Sequence, residues 1–290
     1  MGLTLPHEHV MVDFVGADKV GKQRYRPDDV VSTMLPYIRD AQAQGVTTFV
    51  DCTPMFLGRD VEVLRTISEL TGLHILTNTG QYKEPYLPAE TFELEPQALA
   101  DQWILEAREG IDGTSVKPGF IKTAVERESL APMQQKVTRA AALTSKATGL
   151  TIATHTAAAV AAMEVLGIVE SVCVDPDRWI FVHAQHEPDP DLLVEVARRG
   201  AWISLDGIGA STVDAHIVPL LKLLDAGFER QVLLSHDAGW YRVGEEPGGA
   251  KDPFTYMVGE FIPLMKRKGV SDETVHIITV TNPAVAFEAR

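Results

Sequence analysis

Residues 27–51 read PDDVVSTMLPYIRDAQAQGVTTFVD. Pro27 followed by two aspartates is typical of the first turn of a helix, and Gly45 is typical of the position just past a helix end. The apolar, β-branched run VTTFVD that follows predicts a strand at residues 46–51. The stretch therefore contains a helix that leads directly into a strand, as in folds built from alternating strands and helices.

The same alternation of a short β-branched run, a loop and a longer helical pattern occurs eight times along the chain. The predicted strands are residues 3–9, 46–51, 74–80, 119–124, 151–155, 179–183, 201–206 and 232–237. The predicted helices after the first lie near residues 59–71, 96–109, 131–148, 157–172, 189–199, 212–226 and 254–268, with a closing helix at 282–289. Eight pairs in roughly 250 residues predict a (β/α)₈ TIM barrel rather than an open doubly wound sheet. We expect a single domain over residues 1–290 with little N-terminal extension.

The composition is that of a folded globular protein, with 45% hydrophobic residues, 23% charged residues and a mean hydropathy of +0.01. The net charge of −14 argues against nucleic-acid binding, because a phosphate backbone would be repelled. The sequence lacks a secretory pattern and a long apolar segment, so we expect neither secretion nor membrane insertion. Two cysteines in so long a chain favour a reducing, cytoplasmic location.

Ionisable residues stand at the ends of several predicted strands. They are His7, His9, Lys122, His155, His183 and Asp237. In a barrel of this kind the C-terminal ends of the strands gather at one mouth, so we expect these side chains to converge. His7 and His9 lie two residues apart and therefore project to the same face, while Glu8 points the other way toward the helices.

A single histidine in an apolar strand is more often a core residue than a metal ligand. Lys122 is more informative, because an ammonium among Phe120, Ile121 and Ala124 costs several kcal/mol unless it is paired, neutralised or modified. Four histidines, a lysine and an aspartate at one mouth together favour a metal-dependent active site.

Several motifs resemble those of the phosphotriesterase family of the amidohydrolase superfamily, which includes the phosphotriesterase-like lactonases. They are HEH at 7–9, GFIKTA at 119–124, THTAA at 154–158, His183 at a strand end and SHD at 235–237. The resemblance extends outside the site to KATGL at 146–150, FIPLMKRKGV at 261–270 and TVTNPA at 279–284. It covers nearly the whole chain, and the order and spacing of the ligand-type residues make it specific.

The resemblance implies two divalent metal ions, with zinc the first expectation and cobalt, manganese or iron also compatible. His7, His9 and Asp237 would hold the more buried ion. His155 and His183 would hold the more exposed ion. An N-carboxylated Lys122 and a hydroxide would bridge the two ions, the hydroxide would attack the substrate, and Asp237 would take the proton away. The resemblance also implies a homodimer.

The loops after the strands should shape the substrate pocket. Tyr82 in NTGQY matches the tyrosine that the lactonases place beside the metals, where its hydroxyl would bond the substrate. The other pocket candidates are Trp240, Tyr241, Gly207 and Cys52, the last of which is alternatively a small buried thiol. The segment LDGIG at 205–209 lacks the arginine and tyrosine of the lactonase pattern, and AQHE at 184–187 also departs from it, which leaves open the role of Gln185 and His186.

These features predict an enzyme that hydrolyses a lactone or another carboxylic ester, with weak phosphotriester turnover as a side activity. A small or polar substrate fits the short loops after the seventh and eighth strands. The same site could instead act on an amide or a phosphorylated lactone, and a third reading is a metal-binding barrel without turnover. The remaining histidines have structural interpretations: His74, His216, His236 and His276.

Overall fold

The structure is a computed structural model that describes residues 1–290. Its strands are β1 (Thr4–Val12), β2 (Thr48–Asp51), β3 (His74–Leu76), β4 (Asn78–Thr79), β5 (Phe120–Ala124), β6 (Ile152–His155), β7 (Trp179–Val182), β8 (Trp202–Leu205), β9 (Val232–Leu234) and β10 (Gly239–Arg242). Every pairing between neighbouring strands is parallel, in the orders β10-β1-β2-β3 and β4-β5-β6-β7-β8-β9. The strands therefore follow one another around a barrel in chain order.

The ten strands occupy eight positions around the barrel, because two of these positions are each split into two shorter strands. We call the eight positions staves. The third stave is split into β3 and β4 at Thr77, and the eighth is split into β9 and β10 at residues 235–238. The backbone N–H of Asp237 donates to the carbonyl of His7 at 3.1 Å, and the N–H of His9 donates to that of Ala238 at 2.9 Å. These bonds close the barrel between the last stave and the first, which confirms the predicted (β/α)₈ fold.

Helices connect the strands on the outside of the barrel. They are α1 (Pro27–Ala43), α2 (Val61–Thr71), α3 (Ala89–Glu93), α4 (Pro96–Glu109), α5 (Pro132–Thr148), α6 (Ala159–Ser171), α7 (Pro190–Arg198), α8 (Val213–Asp225), α9 (Ile262–Arg267), α10 (Asp272–His276) and α11 (Asn282–Ala286). The helix predicted at 254–268 is present from residue 256 to residue 267, and it contains a π-helical turn at Met257–Phe261 directly before α9. No helix is both long and apolar enough to cross a bilayer.

Apolar side chains fill the barrel and the layer between strands and helices. The interior cluster includes Val50, Phe120, Ala153 and Ile180, each almost completely buried. A larger cluster packs the helices against the outer faces of the strands. Since the lower part of the interior is filled by these apolar groups, the polar strand ends are confined to the upper mouth.

Candidate metal centre

A small cavity of about 60 Å³ opens at the C-terminal ends of the strands. We call it the metal cavity; it is lined by His7, His9, Phe14, Pro54, Leu57, Tyr82, Lys122, His155, His183, Asp237 and Trp240. All six residues that the sequence singled out as ligands meet there, although they come from five different staves. The convergence expected from their positions at strand ends is therefore present in the fold.

His7, His9 and Asp237 form the first cluster within the metal cavity. Nε2 of His9 lies 3.0 Å from Oδ1 of Asp237, and Nε2 of His7 lies 3.5 Å from the same oxygen. Neither contact has hydrogen-bonding geometry, so Oδ1 is buried without a partner. One donor atom from each residue falls within 4.8 Å of the others. These three side chains could hold a metal ion in common.

The backbone around Asp237 is held by the carboxylate of Glu8, which is fully buried on the opposite face of β1. Glu8 accepts hydrogen bonds from the backbone N–H groups of His236 and Ala238, from the Ser235 hydroxyl at 2.8 Å and from Nδ1 of His236 at 2.7 Å. Asp237 itself has a φ of 53°, a left-handed conformation that is costly for a residue with a side chain. The four bonds from the flanking residues stabilise that conformation.

His155 and His183 form the second cluster. Their ring centroids are 4.4 Å apart, and Nδ1 of His155 lies 2.9 Å from the Tyr82 hydroxyl. His183 lies just beyond β7 with a φ of 63°, so this strand end also adopts a left-handed conformation. Gly80 allows the Tyr82 loop to approach, because a Cβ at that position would lie 2.5 Å from the carbonyl oxygen of Lys122.

Asp206 links the two clusters from beneath. This fully buried carboxylate lies 3.1 Å from Nδ1 of His7 and also accepts from Nδ1 of His183. It further accepts from the Ser204 hydroxyl at 2.8 Å and from the Gln185 amide at 3.3 Å. Because Nδ1 of each histidine bonds Asp206, Nε2 of each is left available to a metal.

Lys122 lies between the two clusters on β5. Its side chain is 1% exposed, and Nζ has no hydrogen-bond partner. A buried amine without a partner loses its hydration with no compensating bond, so this arrangement is unfavourable for an unmodified lysine. The position therefore requires a further group that bonds Nζ or replaces its charge.

The surroundings set the protonation of these groups. Burial and the nearby Lys122 lower the pKa of His7 to about 4. Burial and the neighbouring imidazole lower the pKa of His155 well below its ordinary value. Burial alone would raise the pKa of Asp237, but the imidazoles of His7 and His9 lower it below its ordinary range. At neutral pH the imidazoles of His7 and His155 are neutral and the carboxylate is ionised, as metal binding requires.

Comparisons with known proteins show which family the chain belongs to. The model of the phosphotriesterase family matches residues 1–287. The chain belongs to the phosphotriesterase family. A mutant of the organophosphorus hydrolase from Deinococcus radiodurans superposes with a TM-score of 0.88 at 30% identity, covering 99% of this chain and 93% of that one.

Curated relatives in the family carry different names. The aryldialkylphosphatase of Saccharolobus solfataricus is 30% identical over 99% of this chain and 95% of its own length. The phosphotriesterase homology protein of Escherichia coli is 28% identical over 99% and 98%. The N-acetyltaurine hydrolase of mouse is 24% identical over 83% of this chain and 73% of its own length. Membership in this family therefore establishes that the chain belongs to a family of hydrolases, but it does not establish which type of bond the protein cleaves.

Two of the predicted pocket residues do not reach the metal cavity. Trp240 lines it, with its ring centroid 4.7 Å from that of His9, but the next residue on β10, Tyr241, packs into the hydrophobic core. The backbone differs at the two positions, because Trp240 has a left-handed φ of 67° whereas Tyr241 pairs with Met11 of β1. Cys52 is buried in the apolar interior of the barrel, where burial raises the pKa of its thiol. This position agrees with the alternative expectation of a small buried thiol.

Other residues of the site were not identified from the sequence. Asp206 ends the predicted seventh strand, a position like that of the other ligand-type residues, and this signal could have identified it. Thr53, whose hydroxyl lies 2.8 Å from Nδ1 of His9, had no such signal. Gln185 bonds Asp206 through both ends of its amide group, whereas His186 stands beside His183 at a centroid distance of 6.2 Å and does not line the metal cavity.

A second and larger pocket adjoins Asp237 on the side of the seventh and eighth staves. Its volume is about 480 Å³. We call it the polar pocket; its lining comprises residues 207–212, 236–238, 252, 253 and 256. Gly207, at the position where the lactonase pattern has an arginine, contributes to this lining as a pocket residue. The polar pocket contains neither arginine nor lysine, and both ring nitrogens of its histidine, His236, are engaged, by the Glu8 carboxylate and by the backbone N–H of Met257.

Proposed function

We propose that this phosphotriesterase-family hydrolase is a binuclear metal-dependent enzyme that cleaves a lactone or another carboxylic ester, with weak phosphotriester turnover as a side activity. The main support for this proposal is that six side chains able to bind a metal ion line one cavity. Lys122 and Asp237 each present a buried polar atom without a partner in that cavity. Such atoms are rare in folded proteins and fit a site that is completed by a bound group.

His7, His9 and Asp237 would hold one divalent ion, and His155 and His183 the other. Zinc is the first expectation for imidazole and carboxylate donors, and cobalt, manganese or iron suit the same set. When bound, the metal ions supply a water of lowered pKa as nucleophile and polarise the carbonyl oxygen of the substrate.

Lys122 would serve as the bridging ligand after carboxylation. The amine of Lys122 would attack carbon dioxide, so that an N–C bond forms while one C=O π bond of carbon dioxide and one N–H bond break, the proton leaves, and the product is an anionic carbamate. The product has two oxygen donors in place of an unpartnered nitrogen. This change accounts for a lysine in a position where an unmodified ammonium is unfavourable.

The remaining side chains act on the proton and the substrate. Asp237 would accept the proton of the nucleophile, because its free Oδ1 faces the cavity and its carboxylate is ionised at neutral pH. Tyr82 would donate its hydroxyl to the substrate, since burial raises its pKa and keeps it protonated. Trp240 and Phe14, whose rings stack at 5.6 Å, would form an apolar wall that excludes water.

An amide is the second candidate substrate. The mouse relative is named for the hydrolysis of N-acetyltaurine, which contains an amide bond. The polar pocket beside Asp237 could accept the polar part of such a molecule. A phosphorylated lactone is less favoured because that pocket has no arginine or lysine, and both ring nitrogens of its histidine, His236, are already hydrogen-bonded within the protein.

The test is hydrolysis of a panel containing γ- and δ-lactones, an aryl ester, N-acetyltaurine and paraoxon by the zinc-loaded protein. We expect lactone or ester turnover to exceed the other activities, and Asp237→Asn to abolish turnover of every substrate. Faster turnover of N-acetyltaurine would favour the amide candidate. Metal binding without turnover of any substrate would favour a non-catalytic barrel and contradict the proposal.

We also propose that the protein acts on a free small molecule in the cytoplasm as a homodimer, and that it binds neither nucleic acid nor membrane. The net charge of −14 supports the lack of nucleic-acid binding. Light scattering after size-exclusion chromatography tests the oligomeric state, and a mass equal to one chain would contradict the dimer.

A further inference from the structure

A third pocket, of about 200 Å³, lies beside the metal cavity on the side opposite the polar pocket. We call it the apolar side pocket; its lining comprises residues 82–84, 87, 124, 126, 131, 133, 134 and 137. Tyr82 belongs to the lining of both this pocket and the metal cavity. A molecule whose reacting group sits beside Tyr82 could therefore extend a substituent into the apolar side pocket.

The floor of the apolar side pocket is hydrocarbon. Leu87, Ala124 and Val137 are buried there, with 7%, 1% and 1% exposure, and Met133 is half-buried beside them. None of these side chains offers a hydrogen bond to a polar ligand, apart from the weak sulfur acceptor of Met133. A charged or strongly polar substituent would lose its hydration on this floor without compensation.

The charged residues of the pocket stand at its rim. Nζ of Lys83 lies 3.0 Å from the Glu126 carboxylate, so these two charges neutralise each other. Glu84 is exposed and retains its contact with water. The rim therefore provides no unpaired buried charge that would select an ionic ligand.

The polar pocket differs in chemistry as well as in size. It contains the carboxylates of Asp237 and Asp252 and the hydroxyls of Ser211 and Thr212. Asp252 is exposed, and its carboxylate makes neither an ion pair nor a hydrogen bond. An alkyl substituent would cover these polar groups if it bound there, whereas in the apolar side pocket it covers carbon.

We propose that the apolar side pocket binds an unbranched aliphatic substituent of the substrate, such as the side chain of a γ-alkyl lactone. This inference rests on the proposed function. A methylene group occupies roughly the volume of a water molecule in the liquid, about 30 Å³, so the pocket holds roughly six or seven carbons. Substrates with longer chains must extend past the rim into water.

The experiment measures kcat/KM for γ-lactones with side chains of one to eight carbons, using the zinc-loaded enzyme. Burial of each methylene should raise kcat/KM about fourfold until the pocket is full, after which the gain should stop at roughly six or seven carbons. If every lactone were hydrolysed but kcat/KM did not change with the length of the side chain, the inference would be overturned while the lactonase proposal would stand.

Two exposed alanines provide matched variants. Ala131 lines the apolar side pocket and Ala210 lines the polar pocket, so tryptophan at either position obstructs one pocket with little effect on the core. Ala131→Trp should reduce the preference for a six-carbon over a one-carbon side chain at least tenfold, and Ala210→Trp should retain that preference. If Ala210→Trp lost the preference and Ala131→Trp retained it, the alkyl side chain of the lactone would bind in the polar pocket, and the inference would be overturned.

Binding provides a readout that does not depend on turnover. The same lactones are titrated calorimetrically into the zinc-loaded protein and into Ala131→Trp. Affinity that rises with chain length in the wild type and not in Ala131→Trp would support the pocket even if no lactone were hydrolysed. Absence of chain-dependent binding in the wild type would overturn the inference.

Discussion

The two halves of the metal cavity are built in different ways. On the side of β1 and the eighth stave, Glu8 holds the backbone around Asp237 through four hydrogen bonds, and His7 and His9 follow from the geometry of one strand. On the side of β6 and β7, His155 and His183 come from separate strands. Their known hydrogen-bonding partners are the side chains of Tyr82 and Asp206.

This difference suggests that one half is set by the backbone and the other by individual side chains. The Glu8 contacts also close the barrel, so the half that contains Asp237 should form whenever the barrel folds. The half that contains His155 and His183 should depend more on bound metal, whereas Asp206 contacts one histidine of each half. The predictions below test this contrast.

Replacement of Lys122 should have the largest effect, because it lies between the two halves. Lys122→Met should reduce kcat/KM about a thousandfold or more, since the bridging ligand is lost. The metal-free variant should be more stable than the wild type by about 1 to 3 kcal/mol, because a buried unpartnered amine is replaced by a thioether of similar size. Urea unfolding of the metal-free proteins measures this change, and a less stable variant would contradict our account of Nζ.

Glu8→Gln should weaken the first half. The amide cannot accept all four hydrogen bonds, so we expect a loss of about 3 kcal/mol in the free energy of unfolding. The variant should bind metal more weakly at His7, His9 and Asp237 than at His155 and His183. Glu164→Gln is the matched control, because Glu164 accepts only the Leu130 N–H and is less buried. Equal losses in the two variants would show that Glu8 has no special role.

Acid should destabilise the metal-free protein through His7. Its pKa is lowered from an ordinary 6.5 to about 4, so the unfolded chain binds the extra proton between these values and stability falls as the pH decreases from 6.5 to 4. The full contribution is about 3 kcal/mol. His7→Gln should lose less stability over this interval than the wild type. If the free energy of unfolding fell equally with decreasing pH in the two metal-free proteins, the assignment of this pH dependence to His7 would be contradicted.

Asp206→Asn should affect both halves at once, because one carboxylate orients His7 and His183. Loss of such a partner typically lowers metal affinity about 10- to 100-fold. Competition with a zinc chelator measures this loss at each site. Asp252→Asn, at an exposed residue without a partner, is the control. A decrease confined to one metal would show that Asp206 does not couple the halves.

Thr53→Val should have the smallest effect. Nδ1 of His9 loses one neutral hydrogen bond, worth about 1 kcal/mol, and metal affinity should fall about fivefold. Thr77→Val should leave metal affinity unchanged, because the buried Thr77 hydroxyl has no partner. A larger loss at Thr77 than at Thr53 would contradict the contact with His9.

The sequence predicted the barrel and the six convergent side chains because both depend on local patterns. Alternating strand and helix signals determine the fold, and the position of a residue at a strand end determines the mouth at which it lies. The interruption of the eighth stave was not predicted, because the left-handed Asp237 depends on bonds from Glu8, which is more than two hundred residues away along the chain.

The hydrogen bonds that orient the histidines of the metal cavity could also not be predicted from local sequence patterns. Thr53 is one of many buried threonines, and only the folded structure brings its hydroxyl to His9. The assignment of Tyr241 to the pocket was wrong because the strand resumes at Gly239. Glycine is required there, since a Cβ would lie 2.1 Å from the His9 carbonyl oxygen. Trp240 then adopts a left-handed φ of 67° and lines the cavity, whereas Tyr241 pairs with Met11 of β1 and packs into the core.

The most direct test of the central claim is native mass spectrometry of the protein prepared with zinc and bicarbonate, compared with Lys122→Met. We predict a wild-type mass increased by two metal ions and one carbon dioxide per chain, with both the carbon dioxide and at least one metal absent from the variant. A wild-type chain without added carbon dioxide and with at most one metal ion would contradict a cavity completed by carboxylated Lys122.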